Sequence, residues 1–194
     1  MKNLIYCLLA SGLLRAEAYG QVPKRPVTKH LAASHTSYEA EVGNFIKQVI
    51  PNLTAEFVLV DKPISIESVW ANDCLKQVLA DKVSYSAAEL AGFQSHPYPV
   101  ISSWASFSLG ARLLNQDTIR KAFQRRADDW DYFHKHIGGS FNEFSAPIFL
   151  RNYTYCLFYS ANYCGSLCAG GSLMLYKKEK GIWKPVKAYC QWIS

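Results

Sequence analysis

Apolar residues along this 194-residue chain keep three different rhythms, and each rhythm predicts a different element. The first is a continuous run, Leu4 to Leu14 (LIYCLLASGLL). It follows the cationic Met1-Lys2-Asn3 and precedes Arg15 and Ala16-Glu17-Ala18, a small-x-small cleavage pattern. The order predicts a cleavable secretory leader over residues 1 to 20, cut near Ala18 or Gly20. The run is too short to span a bilayer as a helix, which needs about 20 apolar residues. No later stretch is longer and as apolar, so no transmembrane segment is expected in the mature chain.

The second rhythm has helical spacing. After a proline-containing and charged stretch, residues 21–33, expected as an extended N-terminal arm, Tyr38, Val42, Phe45, Ile46 and Val49 recur every three or four positions. They predict a helix from Ser34, ended by Pro51. Glu56 to Val60 (EFVLV) predicts a strand stopped at Asp61-Lys62-Pro63, and Val69 to Val83 fits either class. Ser86-Ala87-Ala88-Glu89 has the form of a capping box opening a helix from Ala87 to Gln94. Val100 to Leu109 reads as a strand. Asp117 is expected to cap a long helix whose apolar face is Ile119, Phe123, Trp130, Phe133 and Ile137, stopped by Gly138-Gly139.

From Ser145 the rhythm becomes two, and four strands follow: Ala146 to Arg151, Thr154 to Asn162, Ser172 to Lys178 and Trp183 to Ile193. Their links are short, with Glu179-Lys180-Gly181 as a hairpin loop, and short links favour antiparallel neighbours. The expected fold is α+β: N-terminal helices packed on one face of a C-terminal antiparallel β-meander, in a single domain over residues 34–194.

Composition narrows the function classes. The chain is 49% hydrophobic and 14% aromatic, too rich in core formers for disorder. Its formal charge is +6, and loss of Lys2, Arg15 and Glu17 with the leader removes two cations and one anion, leaving +5. The cations are scattered and no nucleic-acid-binding motif is present, so nucleic acid is not an expected partner. Protein, peptide and glycan remain. Beyond the leader stand five cysteines, Cys74, Cys156, Cys164, Cys168 and Cys190. An exported chain oxidises such thiols, and an odd number leaves one over. Cys164 and Cys168, four apart, are the first expected pair. Cys74 with Cys190 or Cys156 would join the two halves of the domain.

The last third carries a recognisable combination: Gly138-Gly139, Phe144-Ser145-x-Pro-x-Phe149, Tyr163-Cys164-Gly165-Ser166-Leu167-Cys168, Gly170-Gly171, Gly181-x-Trp183-Lys184 and the terminal Trp192-Ile193-Ser194. Over residues 119–194 this resembles a family of uncharacterised secreted or periplasmic bacterial proteins, many of them from Bacteroidetes-like sources. The resemblance implies export and a β-rich end, and it brings no activity with it.

Candidate chemistry is thin. His134 and His136 lie two apart, and on a helix such positions point about 200° from each other. Histidines at a helix C-terminus interact favourably with its dipole instead, so no metal site is expected, and no cofactor motif is present. A cysteine nucleophile would need an activating histidine, and no catalytic residue is assigned. The glycine-rich turn after Cys164 lacks the P-loop ending, but a stiffened exposed loop is a good place for recognition. The expected binding surface is therefore Tyr163, Gly165, Ser166, Gly170, Gly171 and Trp183. The leading expectation is a non-enzymatic exported binding module. The alternatives are a small extracytoplasmic hydrolase using cysteine or histidine, and a disulfide-linked structural or assembly component.

Overall fold

Period-two alternation in the last third commits that part of the chain to a sheet, and everything else is arranged around it. The computed structural model describes residues 28–95, 98–124 and 129–194; the leader and residues 21–27 lie outside these. The fold is α+β. Three long strands, β5 (Tyr155–Gly165), β6 (Cys168–Glu179) and β7 (Ile182–Ile193), form an antiparallel meander. Lys180 and Gly181, both at positive φ, close the β6–β7 hairpin, the backbone that a two-residue turn requires.

Beyond the expected meander, the sheet gains a mixed extension. β3 (Phe141–Phe144) pairs antiparallel with β5, and β1 (Val58–Val60) joins β3 in parallel. β2 (Arg112–Leu114) adds parallel to β1, while β4 (Ile148–Leu150) pairs with the start of β5. The order is β2-β1-β3-β5-β6-β7, so β2 and β7 end this path, and the short β4, paired with β5 off the path, is a further edge. Pro185 lies on edge strand β7 beside a register shift and between Lys184 and Lys187, a position where a sheet tolerates proline.

Helices cover both faces of the sheet, not one. Strand β5 shows why: its side chains alternate between the two sides, and both sets are apolar over its first half. Cys156 and Phe158 meet the first helix, α1 (Thr28–Val49), through Val42, Phe45 and Ile46. Phe45 is fully buried and meets Phe149, Phe158, Tyr176 and Trp183 edge to face, at 5.2–5.8 Å between ring centroids. Leu157, Tyr159 and Ala161 meet the opposite layer through Ile66, Val69, Val78, Tyr85 and Phe93. That layer comprises α2 (Ile66–Val69), a π turn at Trp70–Cys74, α3 (Leu75–Ala80) and α4 (Ala87–Ser95). Helices α5 (Gln116–Ala122) and α6 (Asp129–His136) continue it past β3, packing Ala122 and Phe133 on Val58, Val60 and Phe141.

Local chemistry set several boundaries. The capping box forms as expected: the Glu89 amide donates to Ser86 Oγ at 3.3 Å and the Ser86 amide to Glu89 Oε2 at 2.8 Å. Helix α1 begins at Thr28, so residues 28–33 are helical where an extended arm was expected. The stretch 100–109 is no strand. Ser103 Oγ accepts the Ala105 amide at 3.1 Å and starts a 3₁₀ turn, Trp104–Phe107, which buries Trp104; Ser108 then turns left-handed. Serine side chains offering such local bonds outcompete a ladder. The expected long helix from Asp117 is instead α5 and α6, although their apolar side chains still share one cluster. Its cap is Asn115, whose Oδ1 accepts the Asp117 amide at 2.7 Å.

Two disulfides form, Cys74–Cys190 and Cys164–Cys168, leaving Cys156 as a buried free thiol. Such crosslinks fit an oxidising, extracytoplasmic environment. Among the described residues no helix is long and apolar enough to cross a membrane.

Candidate functional site

Along β5 the face toward α1 changes character halfway. Cys156 and Phe158 are fully buried beneath α1, but the next two residues on that face are Ser160 and Asn162. Pro51 is the reason: α1 has ended at Val49, and the sheet beyond it lies open. The register then lays out a polar grid. Asn142 of β3 faces Asn162, Ser160 faces Ser172 of β6, and Gly170 stands opposite Asn162. The Asn162 amide donates to Asn142 Oδ1 at 3.0 Å, and Asn142 Nδ2 donates to the Val58 carbonyl at 3.0 Å. Both asparagines are thus held, while the Ser160 and Ser172 hydroxyls make no bond among the described residues.

These small side chains floor a trough of about 360 Å³, walled by Ile50, Pro51 and half-buried Phe57 on one side and by Gln191 to Ile193 on the other. Among the described residues no charged side chain lines it. Glycine keeps it deep: a Cβ at Gly170 would come to 3.3 Å from the Trp192 carbonyl oxygen. At Gly171, on the other face, a Cβ would meet the Trp192 indole at 2.8 Å and Tyr159 Oη at 3.0 Å, so only glycine lets the Trp192 N–H reach Tyr159 Oη at 3.0 Å.

The stapled hairpin adjoins the trough. Gly165 pairs with Cys168, placing exposed Ser166 and Leu167 at the tip across the Cys164–Cys168 disulfide. His134 Nε2 is in hydrogen-bond contact with the Cys164 carbonyl at 3.1 Å, tying α6 to the hairpin.

The structure therefore divides the expected surface. Gly170 and Gly171 line the trough, Gly165 and Ser166 sit at the tip, and Tyr163 faces the other side of the sheet. Trp183 is not on a surface at all. It is 4% exposed, its ring 5.2 Å from Phe45 and its indole N–H donating to Glu41 Oε1 at 3.2 Å. Alternation along β7 turns this position under α1. Asn142, Ser160, Asn162 and Ser172 were not anticipated. Their signal was the switch from apolar to polar on alternate positions of a central strand.

Opposite the trough, Tyr163 lines a cleft of about 500 Å³ between α5 and strands β3 and β5, together with Phe141, Glu143, Asp117 and Arg120. Burial pushes the Glu143 carboxyl above its ordinary range, partly offset by a hydrogen bond with the Tyr163 hydroxyl, whose own ionisation burial also pushes up. A third cavity, about 570 Å³, lies between α4, β4 and Tyr38. It is mostly apolar, and two of its polar side chains are engaged: Tyr38 donates to the Pro147 carbonyl at 2.9 Å and Glu89 holds Arg151 at 2.8 Å. On its border Arg151, Asn152 and Tyr153 are consecutively left-handed, and the Arg151–Glu89 ion pair and the Arg151 bond to the Ser84 carbonyl (2.7 Å) hold this turn.

Among the described residues the cysteine and histidine candidates do not converge. Cys156 is fully buried and burial pushes its thiol well up, the opposite of an activated nucleophile. It is also out of reach of a second chain. His134 contacts Cys164 and His136 lies against the Tyr132 ring, 4.6 Å between centroids. Among the described residues no three His, Cys, Asp or Glu side chains gather as metal ligands.

No protein-family model matches this chain, nor does any curated protein or solved structure.

Proposed function

We propose that this chain is an exported, non-catalytic binding domain whose trough, at the stapled end of the sheet, takes a neutral glycan segment. Export is supported by the leader pattern and by two disulfides. One observation carries the ligand class: the floor of the trough offers hydroxyl and amide groups on a rigid sheet with no charge among them. Hydroxyls both donate and accept, as sugars do, and the half-buried Phe57 ring supplies an apolar wall for a pyranose face. A charged ligand would lose hydration there without a counter-charge. The disulfide stiffens the hairpin beside the site, so less ordering is needed on binding.

The test is an amide-resolved NMR titration of the oxidised protein with a panel of neutral tri- to hexasaccharides of glucose, mannose, galactose and N-acetylglucosamine. The expected result is saturable shifts at Asn142, Ser160, Asn162 and Ser172, abolished by Gly170→Leu, which fills the trough. No saturable shift with any sugar, or equal shifts in Gly170→Leu, would overturn the reading.

A further inference from the structure

Several carboxylates that this fold takes out of water are given a cation. Asp81 holds Lys187 at 2.8 Å, Glu89 holds Arg151 at 2.8 Å and Glu41 holds Lys178 at 2.6 Å. Asp61, Asp129 and Glu143 are not given one among the described residues, and of these it is Glu143 that lines the cleft under α5. Glu143 lies half-buried on β3, an interior strand, and among the described residues no ion pair reaches it. The neutral Tyr163 hydroxyl belongs to a residue that lines the same cleft. Yet the carboxyl does not face a sealed core: it opens into the cleft beneath α5.

The walls of that cleft have a definite chemistry. Phe141 and Tyr163 stack at 4.9 Å and 17°, and Trp130 lies parallel behind Phe141 at 6.0 Å and 15°. Stacked on one another, these rings make an apolar wall for an alkyl stem. At the rim Asp117 and Arg120 neutralise each other at 2.9 Å, both exposed. With Glu143 ionised, the site carries one net negative charge on a protein whose total is +6.

We infer that the cleft between α5 and strands β3 and β5 is a second ligand site, and that it takes a small organic cation, an alkylammonium group held by Glu143 against the Phe141–Tyr163 wall. The ammonium donates to the carboxylate and to the Tyr163 oxygen, while its alkyl stem covers Ile119 and Phe141. Desolvated inside the cleft, the ion pair is stronger than at the open surface. Arg120 is the internal competitor, because a guanidinium on the rim is the nearest cation that can turn inward. This site lies on the face opposite the trough and stands independently of the glycan reading.

The experiment titrates the intact oxidised protein with n-butylammonium and with n-butanol, a neutral molecule of nearly the same shape, reading amide shifts on β3 and α5. The expected result is saturable binding of butylammonium alone, weakened at least about tenfold in Glu143→Gln and tightened in Arg120→Ala. A thermal melt of Glu143→Gln equal to wild type shows that its loss of binding is not unfolding. If Glu143→Gln proves unstable, Arg120→Ala carries the test by itself. Equal binding of butanol, unchanged binding by a folded Glu143→Gln, or no saturable butylammonium binding by either wild type or Arg120→Ala would overturn the inference. Shifts at Ser160 and Ser172 report the trough separately, so either site can fail without the other.

Discussion

Two halves of one strand face make the most informative comparison in the molecule. Cys156 and Phe158 of β5 lie under α1 and are fully buried, while Ser160 and Asn162, the next two positions on the same face, look into an open trough. The strand and its register with β6 continue unchanged from Tyr155 to Tyr163, while its neighbour on the other side passes from β4 to β3. What changes on that face is the cover, which ends where Pro51 ends α1. The two disulfides both reach the open end of the sheet but differ in span. Cys74–Cys190 ties the helical layer to β7 across 116 residues, whereas Cys164–Cys168 spans four and closes the hairpin beside the trough. One half is built to hold the fold, and the other to present a surface.

Cutting the two crosslinks should give the largest contrast. Loop-closure entropy removes about 5 kcal/mol with the Cys74→Ser/Cys190→Ser pair, but only about 2 kcal/mol with Cys164→Ser/Cys168→Ser. Urea denaturation of the two double variants checks this, and similar losses would erase the distinction between the long-range and the local crosslink. Next come the strand positions themselves. Phe158→Ala should cost about 3–5 kcal/mol, as large-to-small changes in a closed core do. Ser160→Ala should stay within about 0.5 kcal/mol, because it leaves no partner stranded.

A smaller effect appears in acid. The Arg151 guanidinium beside Glu89, with the Ser86 bonds, holds that carboxyl down to about 2 against the desolvation that opposes it. An unfolded glutamate titrates near 4.5. The unfolded chain therefore takes up the proton first, so this contribution is complete above about pH 5 and is lost as pH falls toward 2. Arg151→Ala should flatten that part of the acid-stability profile, followed by circular dichroism, while changes in the open half leave it intact.

The covered half was largely legible in the sequence, and the open half was not. Val42, Phe45 and Ile46 announce their helix by spacing, and Ser86 with Glu89 announces a helix start, because both signals are local. The Ser160–Ser172 and Asn142–Asn162 pairs are products of register, which joins residues 12 to 20 positions apart. Strand β3 escaped notice because four residues, Phe141 to Phe144, carry too short an alternation to stand out, and without β3 neither the grid nor Glu143 could be placed. Trp183 failed for a related reason: its motif marks the hairpin but not the face to which the side chain turns. The two disulfides were reachable, since Cys164–Cys168 follows from spacing and Cys74–Cys190 was among the open choices.

The edges of the sheet bear on how the protein behaves in a crowd. A six-strand path ending in two bare rims would invite other copies to add on, strand by strand, into fibres. Here one rim is β2, only three residues long. The other, β7, is interrupted by Lys184, Pro185 and Lys187 and by a shift in register. Each interruption removes part of the template that a neighbouring chain would copy. Both ends of the path are thereby poor templates for growth strand by strand.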